Sequence, residues 1–311
     1  MIYLDEQEVR RLLDWDDLIV TMERTLAAFS RGEVVQPVRS VITIEERRRY
    51  LGIMPAVVGE VMGAKFVAFY PANSEIDLPT HEATIVLYRT DNGRPLAAMD
   101  GRLITEMRTA AVSAAVTRYL APARSCILAL LGSGVQARSH LQALRRVREF
   151  SEVRVWSRTA RHAERFAQTH GVTAVDSAEA AVRGADVVVT ATASREPILK
   201  GAWLKTGAHV NAVGSSNPYW RELDEAAMAN PIVVDSREAA AKEAGDVILA
   251  RAPVYAEAGE IFDGVKEAPV SVTSIFKSLG LACEDVAAAR LVFDAAETRR
   301  AKQRSSHVSQ H

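Results

Sequence analysis

The residues whose types and spacing carry the clearest chemistry are Gly132-Ser133-Gly134-Val135-Gln136-Ala137, which follow the apolar run Cys126-Ile127-Leu128-Ala129-Leu130-Leu131. A buried strand running into a glycine turn that opens a helix is the pattern of a dinucleotide site. Gly132 permits the tight turn out of the strand, Gly134 lets the backbone approach a pyrophosphate, and Ala137 keeps the helix close to the sheet. The phosphates sit on the N–H groups at the helix N-terminus, which brings Val135 and Gln136 into the cradle, and the aligned peptide dipoles there favour negative charge.

The next strand chooses between cofactors. An NAD site places Asp or Glu about 20 residues past the glycines to hold the ribose hydroxyls. Here the strand Glu152-Val153-Arg154-Val155-Trp156 ends in Ser157-Arg158-Thr159, with no carboxylate. A guanidinium pairs bidentately with a 2′-phosphate, so the expected cofactor is NADP(H) in preference to NAD(H). The competing reading makes Arg158 a solvated loop residue.

These residues need a sheet to position them. Further β-branched runs occur at 185–190, 208–213 and 232–235, alternating with helical stretches, as in βαβ units of a parallel sheet covered on both faces. The first hundred residues differ. Apolar positions from Val9 to Phe29 recur at helical spacing within residues 8–30. Short strands then follow at 38–44, 51–54, 64–70, 83–88 and 95–99, with Asp91-Asn92-Gly93 as a hairpin turn. An alanine-rich helix over 105–120 leads into the nucleotide region. Past it lie a strand candidate at 270–276 and a helix over 284–299, which is expected to return to the first region. The polar, serine-rich residues 302–311 are expected to fray.

Composition supports a soluble two-domain enzyme. The chain has 311 residues, more than one core comfortably fills. Its formal net charge is −1 with 25% charged residues, so no strong field points to nucleic acid or an anionic membrane. The cluster Arg47-Arg48-Arg49 reads as a solvated turn. Cys126 and Cys283 give neither metal spacing nor a disulfide framework, and both are expected in the core. Residues 1–5 show no basic stretch before an apolar one, and no run approaches the roughly 20 apolar residues that span a bilayer, so the expected location is cytoplasmic.

Several ordered blocks resemble the ornithine cyclodeaminase/mu-crystallin family: Gly63-Ala64-Lys65, Pro79-Thr80-His81-Glu82-Ala83-Thr84, Met99-Asp100-Gly101, Arg108-Thr109-Ala110-Ala111-Val112-Ser113, 131–137, 213–223, Asp235-Ser236 and Gly280-Leu281-Ala282. The resemblance implies a homodimer with its active site between two domains. The expected fold is α/β: a Rossmann-type doubly wound parallel sheet over residues 119–283, plus a discontinuous α+β substrate and dimerisation domain made of 1–118 and 284–311. Hydride then moves between the nicotinamide and the Cα of an amino acid or its imine. By the same resemblance Arg39 and Arg108 match carboxylate-binding arginines, Lys65 matches the active-site lysine, and Val213, Gly214 and Ser215 join the cofactor set. A partly buried ammonium beside two arginines is expected to have a lowered pKa and to shuttle protons. His81 is a further candidate, with a structural role as its competitor, and Asn217 is expected to line the site with Ser216.

One departure separates the branches of that family. Its cyclodeaminases carry an aspartate where this chain has Ser216, and a serine supplies neither the negative charge nor a comparable general base. Pro218-Tyr219-Trp220-Arg221-Glu222-Leu223 and Ser157-Arg158-Thr159 resemble the mu-crystallin branch, which uses NADPH. The expected activity is therefore reduction of pyrroline- or piperideine-2-carboxylate to proline- or pipecolate-type products. Three rivals stay open: ornithine cyclodeamination, with Asp77 or Glu82 replacing the missing aspartate; an alanine-type or opine-forming amino-acid dehydrogenase; and an NADPH-dependent binder without catalysis.

Overall fold

A computed structural model describes residues 1–45, 49–76 and 78–308; Arg47, Arg48 and Asp77, singled out above, lie outside the described residues. The chain divides into two compact units, Met1–Arg108 with Leu281–His311, and Thr109–Gly280.

The first unit opens with β1 (Ile2–Leu4), α1 (Glu6–Leu12) and α2 (Trp15–Ser30). The single helical opening expected from periodicity is thus two helices. Asp5 caps the first through a capping box with Glu8, and Asp14 caps the second by accepting from the N–H groups of Asp16 and Asp17. A meander follows: β2 (Ser40–Glu45), β3 (Arg49–Val58), β4 (Val61–Phe69), β5 (His81–Arg89) and β6 (Pro95–Asp100). The sheet order is β1-β6-β5-β4-β3-β2, antiparallel except that β1 runs parallel to β6. Three-residue β1 carries too few residues for a periodic signal and was not anticipated.

Helix α3 (Arg102–Leu120) leads to the second unit, an eight-stranded parallel sheet. Its strands are β7 (Ile127–Leu131), β8 (Glu152–Trp156), β9 (Thr173–Ala174), β10 (Val187–Thr190), β11 (His209–Ala212), β12 (Ile232–Val234), β13 (Val254–Glu257) and β14 (Ser274–Lys277). Helices α4 (Val135–Leu144), α5 (Ala160–His170), α6 (Ala178–Val182), α7 (Glu225–Met228), α8 (Arg237–Glu243), α9 (Gly245–Ala250) and α10 (Ala258–Phe262) intervene. The order β13-β12-β14-β11-β10-β7-β8-β9 places the reversal of strand order between β7 and β10. Strands β7, β10, β11 and β14 are almost wholly buried, which is why they read as continuous apolar runs. Three buried polar side chains still find partners there: His209 bonds Ser274 and Asn211, and Asn211 donates to the Thr117 hydroxyl.

The chain ends in α11 (Ala282–Val308), which belongs to the first unit and packs on β3, β4 and β5. Residues 302–308, expected to fray, continue this helix: Lys302, Gln303 and Arg304 are good helix formers and extend a helix already anchored by packing. Strand β14 takes up the last three residues of the span expected at 270–276 and runs one residue beyond it, to Lys277. Cys283 is buried, but Cys126 is exposed, because β7 begins one residue later.

Candidate active site

At the carboxyl ends of β7, β8 and β10, where the strand order reverses, the second unit holds a cleft of about 670 Å³. Gly132 turns the chain there with φ +119°, and a Cβ at this position would stand 2.4 Å from the Ala191 carbonyl oxygen. Only glycine fits. The Gly132 N–H donates to the Trp156 carbonyl at 2.9 Å, tying the turn to the end of β8. Gly134 is the N-cap of α4 and offers no side-chain cap to its first-turn N–H groups, the arrangement that suits a pyrophosphate. Val135, Ser157, Arg158 and Thr159 line the cleft. Ala137 is buried under α4, and the Gln136 carbonyl accepts from His140. Val213, Gly214 and Ser215 lie on the loop after β11 and do not line this cleft; Ser215 is buried and donates to the Trp220 carbonyl.

Sequence reasoning found one cation for this cleft, whereas the fold brings five basic side chains to it. Arg138 from α4 and His162, Arg165 and His170 from α5 join Arg158 in its lining. His162, Arg165, Phe166 and Thr169 stand at i, i+3, i+4 and i+7, one face of α5, so helical spacing was the available signal.

The first unit holds a second polar centre. Lys65 on β4 is 2% exposed, and its ammonium lies 2.7 Å from the Asp285 carboxylate of α11, itself fully buried. Arg108 of α3 donates from Nε to Asp285 at 3.1 Å and from Nη1 to Glu284 at 2.7 Å. Burial pulls the Lys65 ammonium down to about 8, with Asp285 opposing the fall and Arg108 and Arg39 adding to it. Burial alone would raise the Asp285 carboxyl, but Arg108 and Lys65 outweigh it and hold it below its ordinary value. The centre therefore joins a buried ammonium that titrates close to neutrality to the arginines expected to bind a carboxylate.

The match to the ornithine cyclodeaminase/mu-crystallin family extends over residues 2–300. The chain belongs to that family. Mouse ketimine reductase mu-crystallin is 46% identical over 301 residues, which cover 94% of this chain and 96% of that protein. The structure of Thermococcus litoralis Δ1-pyrroline-2-carboxylate reductase in complex with NADH and L-proline is 33% identical, with a TM-score of 0.91 over 96% of this chain and 98% of the other. An archaeal alanine dehydrogenase dimer with bound NAD is also 33% identical, with a TM-score of 0.89 over 96% of each chain.

Within this family member, Lys65, Arg108, Arg39 and His81 gather in the first unit, since Arg39 acts on the Lys65 charge and Lys65 on that of His81. His81 is the first residue of β5 and lies on the Lys65 face of the sheet, in register with Phe69, whose ring centroid is 4.6 Å away. Part of its surface reaches solvent, yet surrounding protein and then Lys65 push its imidazole below the ordinary value. Glu82 faces the other way. It pairs with Ala68 on the opposite face from Lys65, which removes it as a stand-in for the missing aspartate. Ser216 is exposed on the loop after β11 of the second unit, where Asn217 accepts from the Tyr219 N–H. Sequence reasoning missed Glu284 and Asp285, the two carboxylates that compensate Lys65 and Arg108. The signal was present: acids in Leu281-Ala282-Cys283-Glu284-Asp285-Val286-Ala287, a stretch buried throughout, need cations opposite them.

Proposed function

We propose that this protein is an NADPH-dependent reductase of cyclic ketimine carboxylates, pyrroline-2- and piperideine-2-carboxylate, giving proline- and pipecolate-type imino acids. The observation that carries this reading is the buried Lys65 ammonium, titrating near 8 beside two arginines. A 46% identical relative is a ketimine reductase, and a structural neighbour at TM-score 0.91 is a pyrroline-2-carboxylate reductase holding NADH and L-proline, both in accord with it.

The cleft of the second unit suits a nicotinamide dinucleotide, because its glycine turn admits no Cβ and its helix N-terminus lacks a side-chain cap. When bound, that cofactor supplies hydride to the imine carbon. Arg158 with Arg138 and Arg165 favours the 2′-phosphate form over NADH. In the first unit Arg39 and Arg108 hold the substrate carboxylate, and Arg108 is steadied for this by Glu284 and Asp285. Lys65 gives a proton to the nitrogen as it becomes an amine, and Asp285 keeps the lysine protonated at neutral pH. His81 shapes the charge around Lys65 without being required as the donor.

Ser216 argues against cyclodeamination, since no carboxylate stands at that position to engage an ornithine side-chain ammonium. A homodimer is part of the same reading. The face of the first sheet opposite Lys65 carries an apolar groove of about 640 Å³, lined by Met62, Ala64, Phe66, Val86 and Tyr88, of a kind that a second copy covers.

The test follows NADPH absorbance with both ketimines, beside an ornithine reaction scored for ammonia with NAD. NADPH consumption without ammonia release is the expected result. Ammonia from ornithine, or no consumption with either ketimine, overturns the proposal.

A further inference from the structure

Three charged side chains form one wholly buried cluster in the second unit. They are Glu222, Asp246 and Lys277, each 0% exposed. Lys277 ends β14, Asp246 lies in the first turn of α9, and Glu222 sits in the segment that resembles the mu-crystallin branch. Burying three charges is costly, and a chain that needed only bulk there would use apolar residues.

Their bonds have a direction. Each Glu222 oxygen accepts two donors: Oε1 takes the Thr192 N–H at 2.8 Å and the Thr192 hydroxyl at 2.6 Å, while Oε2 takes the Gly214 N–H at 2.9 Å and the Thr190 hydroxyl at 2.8 Å. One backbone N–H, of Thr192 or of Gly214, donates to each oxygen, so both are held as acceptors, the arrangement a carboxylate satisfies. One side chain therefore staples the chain leaving β10 to the chain leaving β11. The fit is close, because a Cβ on Gly214 would lie 2.3 Å from Oε1 and 2.2 Å from the Thr192 carbonyl oxygen. Behind it, Asp246 Oδ1 accepts the N–H groups of Glu222 and Leu223, and Asp246 Oδ2 lies 2.9 Å from the Lys277 ammonium. The Glu222 carbonyl in turn accepts from the N–H groups of Ile198 and Leu199. Thr192 and Ile198 both line the dinucleotide cleft.

We propose that Glu222, kept ionised by Lys277 and aimed by Asp246, is a positioning residue that fixes the β10 side of the dinucleotide cleft. Burial holds the Glu222 carboxyl above its ordinary value, and Lys277 is the cation that opposes the rise. Lys277 from β14 and Asp246 from α9 are the charged groups that face it. The inference rests on reading the cleft as a dinucleotide site.

The experiment titrates NADPH and NADH into the full chain, following nicotinamide fluorescence. Glu222→Gln is expected to weaken NADPH binding by about tenfold or more and to raise the KM for NADPH more than it lowers kcat, because Gln turns an amide donor toward groups that donate. The paired variant Lys277→Met with Asp246→Asn keeps an acceptor for the Glu222 N–H and removes both buried charges, so it remains informative if Glu222→Gln does not fold. Its NADPH affinity, divided by that of the wild type at each pH, should fall toward acid pH as Glu222, without its cation, takes up a proton. A merely structural role leaves that ratio flat. Wild-type binding that Glu222→Gln retains within about twofold, or a flat ratio in the paired variant, overturns the inference alone. A wild type that binds neither dinucleotide overturns the dinucleotide reading, and the inference with it.

Discussion

Replacing Asp285 with Asn tests the proton-donor assignment directly. On the proposal that Lys65 is the acid, the rate is high while it is protonated and falls as the pH rises through its folded pKa of about 8. Asp285, 2.7 Å away, is the anion that keeps the ammonium charged against burial. Two unit charges about 4 Å apart at an effective permittivity of roughly 20 attract by about 4 kcal/mol. Since about 1.36 kcal/mol corresponds to one pKa unit, complete loss of that attraction is worth about three units. Water drawn toward the neutral Asn recovers part of it, so the expected fall is at least about one unit. The alkaline limb of kcat/KM for pyrroline-2-carboxylate, which reports the free enzyme, should move from near 8 to below about 7. Activity at neutral pH should drop by about twofold for a fall of one unit and about tenfold for two, and recover in part near pH 6. A profile lowered by the same factor at every pH, with its limb unmoved, would refute the reasoning, since lost packing scales the rate without moving a titration.

Three other outcomes follow from the same structure. Arg158→Gln should raise the KM for NADPH by about tenfold or more and leave that for NADH almost unchanged, since a charge-assisted bond to phosphate is lost; equal effects on both would place Arg158 away from the 2′-phosphate. Gly132→Ala forces a side chain into φ +119° against the Ala191 carbonyl and should cost about 2 kcal/mol or more in urea unfolding, with NADPH binding lost; normal binding would show that the turn can relax. His140 and His209 are buried, with burial lowering them to about 4 and about 3. Both fold in the neutral form, so their contribution is present above the ordinary value of 6.5 and is lost as the pH falls toward 4. Between about pH 7 and pH 5 each should cost roughly 2 kcal/mol, read by urea unfolding; stability that does not fall would mean that protonated histidine is tolerated there.

The groove on the first sheet illustrates how far a pattern carries. Alternation along β4 and β5 marks which residues share a face, so Lys65, Ile85 and His81 go together, as do Phe66, Val86 and Tyr88. Nothing in that alternation says which face α11 will cover. The helix arrives from more than two hundred residues away, and its packing on β3, β4 and β5 assigns one face to the buried ion centre and leaves the other apolar and open.

What the chain determines by itself is local. Gly132, Gly134 and Ala137 spell a strand, turn and helix because each constraint acts within six residues, and the absence of a carboxylate at Ser157-Arg158-Thr159 is visible without coordinates. Periodicity separates buried parallel strands from the half-buried meander for the same reason. Tertiary structure decides the pairing of charges. Asp285 meets Lys65 and Arg108 across 220 and 177 positions, and Lys277 meets Asp246 across 31. A buried charge is tolerable only where folding brings it a counter-charge or donors, and that partner is chosen by the packing of elements, which no local spacing encodes.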